Sequence, residues 1–105
     1  MADIPNTIRE TLDSFVKELN KNHIHIQQAF LFGSYASGTF DSWSDIDVAL
    51  VSVDFSGSRF YDRNAIRKVK LSVSSDLEPL PYRPEDFNET DPFVKRIIET
   101  GIRVV

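Results

Sequence analysis

Two short residue groups in this chain have types and spacing that could do chemistry: Gly33-Ser34 and, after ten intervening residues, Asp45-Ile46-Asp47. Asp45 to Val51 reads as a strand, with Ile46, Val48 and Leu50 alternating on one side. Side chains two apart on a strand share a face, roughly 6.5–7 Å from each other, so the two carboxylates project side by side. Adjacent like charges repel, and one is pushed toward protonation. A divalent cation between them removes that penalty, and two cations roughly 3.5–4 Å apart could be shared with the phosphates of a substrate. Gly33 lets the chain turn sharply after Leu31-Phe32, and Ser34 would open a short helical turn whose N–H groups and hydroxyl could hold a phosphate. Each group alone has a plainer explanation. Asp-x-Asp also describes a polar strand edge backed by core, and Gly-Ser a simple strand-to-turn junction. Together, on neighbouring predicted strands, they are far more specific.

The elements that must position these groups can be read from periodicity. Ile4, Ile8, Leu12, Phe15, Val16 and Leu19 recur at helical spacing and predict a helix over 4–19, ended by Asn20 to Asn22. Thr7 and Glu10 fit a capping box, which would move its start later. A strand is expected over 25–32, a loop or short helical turn over 33–43, a strand over 45–51 and a turn over 54–57. A second long helix is expected over 60–73, through Ala65, Ile66, Val69 and Val73. A third strand follows over 74–82, where Pro79 and Pro81 demand a sheet edge or a shortened strand. The segment 91–100 reads as a short helix with Pro92 at its first position and Gly101 past its end, and 102–105 as a last strand. The order helix, strand, strand, helix, strand, helix, strand predicts a single α+β domain over 1–105, a mixed β-sheet flanked by helices.

Composition narrows the chemistry. The 105 residues suffice for one core, not two. With no cysteine and only His23 and His25, thiolate sites are excluded, and a metal would be held by carboxylates, favouring Mg²⁺ or Mn²⁺. No apolar run approaches the roughly 20 residues needed to span a bilayer. The N-terminus does not read as a signal peptide, so a cytoplasmic protein without a membrane partner is expected. The net charge of −4 argues weakly against a nucleic-acid-coating protein and leaves nucleic acid open as a partner. The distribution says more. From Asn22 to Ser58 there is no Lys or Arg, while Asp41, Asp45, Asp47 and Asp54 all fall there. A polyanion approaching this stretch meets repulsion unless a cation intervenes.

Phe32-Gly33-Ser34 and Asp45-Ile46-Asp47-Val48, with Ser44 just before the aspartates, resemble the two-part signature of the nucleotidyltransferase superfamily related to DNA polymerase β. The spacing is similar to that of the minimal nucleotidyltransferases, small proteins often paired as antitoxins with HEPN-domain toxins. The likeness extends over nearly the whole chain, from the helix before the first strand to Pro-Phe-Val-Lys-Arg-Ile-Ile-Glu-Thr-Gly near the end. It implies a nucleotidyltransferase fold and Mg²⁺-dependent transfer of AMP from ATP to a hydroxyl, such as one on a HEPN-type partner. Gly33, Ser34 and Ser44 would contact the nucleoside triphosphate, and Asp45 and Asp47 would hold two Mg²⁺ ions. The third carboxylate of the family maps best to Asp76, as base or metal ligand. Glu78, two residues on and so on the same face, is its rival. One departure stands out. Many members carry Arg or Lys in the loop after Gly-Ser, and here Tyr35-Ala36-Ser37-Gly38-Thr39 holds neither. Neutralisation of a triphosphate would then fall on Mg²⁺, on the backbone or on side chains from elsewhere, with Arg59, Arg63, Arg67 or a partner protein as candidate donors.

Other residues have plainer readings. His23 and His25 alternate at a predicted strand start but lack a third ligand. Trp43 could stack on a base, although packing at the base of the loop is the simpler expectation. Arg67, Lys68 and Lys70 form a solvated basic face that could also meet an acidic partner or RNA. Phe93, Ile97, Ile98 and Ile102 are expected in the core, and part of that set could meet a second copy of the chain. Two functional classes remain: a nucleotidyl-transferring enzyme, and a catalytically silent antitoxin that neutralises its partner by covering it. The retained carboxylates favour the enzyme.

Overall fold

Pro5 sets the start of the first helix. Its φ of −54° suits helix entry, and its carbonyl accepts from the N–H groups of Ile8 and Arg9 at 3.0 and 3.1 Å. In the computed structural model, which describes residues 4–105, helix α1 therefore spans Asn6–Lys21. The first three residues of the expected domain lie outside the described residues. Thr7 is already helical and no side chain caps the helix, so the expected capping box does not form. Leu12, Phe15 and Leu19 face inward and are buried.

Strand β1, Gln28–Phe32, is shorter than the expected 25–32. His23 adopts φ 65° in the turn that ends α1, and His25 is tied sideways to Asp54, so neither histidine lies on a strand. After β1 come a one-turn helix α2, Ser34–Ser37, strand β2, Ile46–Val51, and helix α3, Arg59–Val73. Strand β3, Leu77–Tyr82, a 3-10 turn over Pro84–Asp86, helix α4, Pro92–Thr100, and strand β4, Ile102–Arg103, complete the chain. Asp91 caps α4 by accepting from Phe93 N–H at 2.9 Å. The 3-10 turn carries no periodic signal in the sequence, and Arg83 braces it through Asp86 at 2.7 Å.

The four-stranded sheet has the order β3-β2-β1-β4. β1 pairs antiparallel with both β2 and β4, whereas β2 and β3 run parallel. A parallel pair needs a crossover, and α3 supplies it. β3 lies at the edge, where Pro79 and Pro81 lack the N–H groups that a second neighbour would require. One apolar cluster joins the sheet to α1 and α3 through Phe15, Leu19, Leu31, Leu50, Ile66 and Leu77. A second, containing Phe30, Ala49, Val51, Tyr82, Val94 and Ile97, lies under α4. β2 is thus buried on both faces, and in Ile-Asp-Val-Ala-Leu-Val the one polar side chain is Asp47. Burying a carboxylate in such a strand is costly, so a local reason for it is required. Among the described residues no helix is long and apolar enough to cross a membrane.

Candidate active site

Strand register sets the neighbours of Asp47. It lies opposite Phe32 on β1 and opposite Glu78 on β3, so these residues form one row across the same face. Asp45 stands just ahead of β2 and is exposed. Asp45, Asp47 and Glu78 line a cavity of about 310 Å³ together with Phe32, Arg63, Pro79 and Leu80. Asp47 is half-buried. Burial, and then the negative charges of Asp45 and Glu78, raise its pKa above the ordinary carboxylate range. The expected cluster of like charges is therefore present, with the carboxylates close enough to disfavour ionisation of Asp47.

Gly33 explains how Asp47 fits. It adopts φ 73°, ψ −146°, a conformation that suits glycine alone. A Cβ added there would collide with Asp47 Oδ2 and lie 3.2 Å from its Cγ. The turn after β1 thus leaves open the space that this carboxylate fills. Ser34 follows as the first residue of α2 and is half-buried. Phe32 packs edge-on against Phe93 at 5.9 Å, fixing this end of β1 to α4.

Two expected site residues lie elsewhere. Asp76 sits in the turn ahead of β3, exposed, and does not line the cavity. Its carbonyl accepts from Ile46 N–H at 2.8 Å, which anchors the start of β2. Ser44 closes a local turn, its hydroxyl accepting from Asp41 N–H at 2.9 Å and donating to Asp41 Oδ1 at 3.3 Å. Trp43 is 90% exposed and does not pack at the base of the loop. The aromatic packing in this loop is between Tyr35, which is buried, and Phe40, stacked at 4.6 Å. Of the late apolar set, Ile97 is core, Ile98 and Ile102 are half-buried, and Phe93 is 47% exposed.

Among the described residues no group of three or more His, Cys, Asp or Glu side chains is placed to hold a metal ion. The donor chemistry nevertheless suits a hard divalent cation. Three carboxylates share one cavity, Asp47 sits in a slot that Gly33 keeps clear, and no softer ligand lines the wall. Lys70 reaches Glu78 at 3.8 Å and offsets part of the charge. Sequence spacing does not reveal the Gly33–Asp47 contact or the position of Arg63 on the cavity wall, because both depend on how separate elements pack.

The nucleotidyltransferase domain family matches residues 10–104. None of the curated protein sequences matches the chain. Among solved structures, a candidate nucleotidyltransferase of Sulfolobus solfataricus is similar with a TM-score of 0.66 at 14% identity, over 92% of this chain and 78% of that one. A doubly substituted MntA-HpeT toxin-antitoxin is similar with a TM-score of 0.62 at 20% identity, over 89% of this chain and 71% of that one. A toxin-antitoxin with AMP-PNP gives a TM-score of 0.59 at 22% identity, over 92% and 72% of the two chains.

Proposed function

The chain belongs to the nucleotidyltransferase domain family, and from that premise we propose that it transfers AMP from ATP to a hydroxyl of a partner protein, acting as the antitoxin of a HEPN-type toxin. The observation that carries this reading is the cavity where Asp45, Asp47 and Glu78 meet beside the Gly33 turn. The likeness of the fold to toxin-antitoxin components, one with a bound ATP analogue, supports the choice of partner and nucleotide.

Asp45 and Asp47 would hold Mg²⁺, which when bound supplies charge neutralisation at the phosphates and a lower pKa for the attacking hydroxyl. We assign the third carboxylate to Glu78 rather than Asp76, because Glu78 shares the cavity and the strand row with Asp47. In the transfer, the acceptor oxygen forms a bond to the α-phosphorus and the bond from that phosphorus to the bridging oxygen breaks. Pyrophosphate leaves, and the proton of the acceptor passes to a carboxylate, for which Glu78 is the candidate. The Gly33-Ser34 turn keeps the slot for Asp47 open and brings the Ser34 hydroxyl to the same end of the sheet. Catalysis would come mainly from positioning and charge stabilisation.

The test is label transfer from ATP and Mg²⁺ to the product of the neighbouring reading frame, co-expressed with this chain. Asp45→Asn, Asp47→Asn and Glu78→Gln are expected to lose transfer by about 100-fold or more, and Asp76→Asn to retain most of it. Loss in Asp76→Asn alone would reverse the assignment of the third carboxylate. Full neutralisation of the partner by the Asp variants, without transfer by the wild type, would replace the enzyme with a covering antitoxin.

A further inference from the structure

We propose that Arg63, on the helix that crosses from β2 to β3, supplies side-chain positive charge to a cavity whose own strands and turn carry none, and binds the terminal phosphates of the nucleotide. This inference rests on the nucleotidyl-transfer reading above. The stretch from Asn22 to Ser58, which includes the turn and both aspartates, contains no Lys or Arg. Beyond what a metal ion supplies, side-chain positive charge for a polyphosphate in the carboxylate cavity therefore has to come from another element. Of the residues lining that cavity, Arg63 is the only cation. It forms no ion pair with another described residue, so its guanidinium is not consumed by Asp45, Asp47 or Glu78.

The other candidate cations are placed differently. Arg59 lies over the Tyr82 ring, 5.8 Å from its centroid, and does not line the cavity. Arg67 and Lys70 line an adjoining groove of about 310 Å³, whose wall also includes Arg63, Glu78 and Pro79. Arg63, Arg67 and Lys70 follow one another at spacings of four and three residues, so they form a single stripe on α3. The stripe starts at Arg63 on the carboxylate cavity and runs along the adjoining groove to Lys70, which reaches Glu78 at 3.8 Å. A phosphate chain anchored over Asp45 and Asp47 would meet Arg63 first, because Arg67 lines only the adjoining groove. Arginine suits this role because its planar guanidinium can engage phosphate oxygens in pairs.

Binding of ATP, AMP and pyrophosphate to the full chain, measured by calorimetry with Mg²⁺ and set beside ATP KM and kcat for transfer, tests the assignment. Arg63→Gln is expected to weaken ATP and pyrophosphate by about 10- to 100-fold while AMP changes little, with partial rescue in Arg63→Lys. Transfer should show a raised KM more than a lowered kcat. Unchanged ATP and pyrophosphate affinity in a folded, transferring Arg63→Gln variant would overturn the proposal and leave the transferase reading standing. So would selective loss in Arg96→Gln, whose arginine lies in a separate cavity beside Gly33 and Phe93. Arg63-dependent pyrophosphate binding without any transfer would uphold the phosphate site while removing the transferase reading.

Discussion

Replacing Gly33 by alanine tests the link between backbone and site most directly. At φ 73°, ψ −146° an L-residue is strained, which by itself costs about 1–3 kcal/mol. For a domain of this size each kcal/mol lowers Tm by roughly 4–8 °C, so a fall of about 10 °C is expected. The second consequence is local. The new Cβ would occupy the position of Asp47 Oδ2, and since this is the far end of a side chain, the carboxylate gives way rather than the strand. A displacement of about 1 Å in a catalytic group can cost 100-fold in rate. Gly38 provides the control. It also has positive φ, 81°, but a Cβ there meets nothing within 4 Å. Gly38→Ala should lose about 1–2 kcal/mol and keep its transfer activity. Carboxyl ¹³C titration by NMR supplies a readout that does not depend on activity. In Gly33→Ala the Asp47 carboxyl should move toward water and its raised pKa should fall back toward the ordinary range. If Gly33→Ala behaves like Gly38→Ala in transfer and leaves the Asp47 titration unchanged, glycine is not required at position 33 to seat Asp47.

Three further outcomes follow from individual side chains. Asp62, buried in the first turn of α3, accepts from Ser56 N–H at 2.8 Å, Ser56 Oγ–H at 2.9 Å and Gly57 N–H at 3.1 Å. Asp62→Ala should cost about 2 kcal/mol, seen as a drop of roughly 8–16 °C in a thermal melt. Asp47 has a pKa raised by burial and its acidic neighbours, so its ionisation opposes folding, and stability is lost as pH rises through the unfolded and then the folded value. With chelator present at neutral pH, Asp47→Asn should therefore melt higher than wild type, while Mg²⁺ at about 100 times its Kd should stabilise only the wild type, by about 2.7 kcal/mol. Asp54 shows the opposite sign. The backbone N–H of His25, at 2.8 Å, and then its ring nitrogen, at 3.1 Å, hold the Asp54 pKa below the ordinary range. Its contribution is complete above the unfolded value of about 4 and disappears as pH falls through the folded value, so acid melts should separate wild type from Asp54→Asn above that point and converge below it.

Local pattern made much of this fold legible. The apolar spacing of α1, the proline pair that places β3 at an edge, and the Pro92 and Gly101 boundaries of α4 each act within a few residues, and each matches the structure. Asp45 and Asp47 do line one cavity, although Asp45 stands just ahead of β2 and only Asp47 lies on the strand. Readings that depended on a competing local force failed. Thr7 and Glu10 fit a capping pattern, but Pro5 had already fixed the helix start. Trp43 has the composition of a packed residue, but it is exposed, and the loop's aromatic packing is between Tyr35 and Phe40.

The third carboxylate shows where legibility ends. Asp76 and Glu78 differ by two positions, so a strand containing both directs them to the same face, and pleat arguments cannot separate them. What separates them is the offset at which β3 lies along β2. Ile46 aligned with Leu77 puts Glu78 beside Asp47 and leaves Asp76 before the strand begins. That offset depends on burying Leu77, which is fully enclosed between the sheet and α3, and on the Ile46 N–H to Asp76 carbonyl hydrogen bond. A register shift of two residues would keep every side chain on its face but pull Leu77 out of alignment with Ile46 and break that bond. The residue that could complete the site is therefore selected by a leucine and a main-chain hydrogen bond, neither of which takes part in the chemistry.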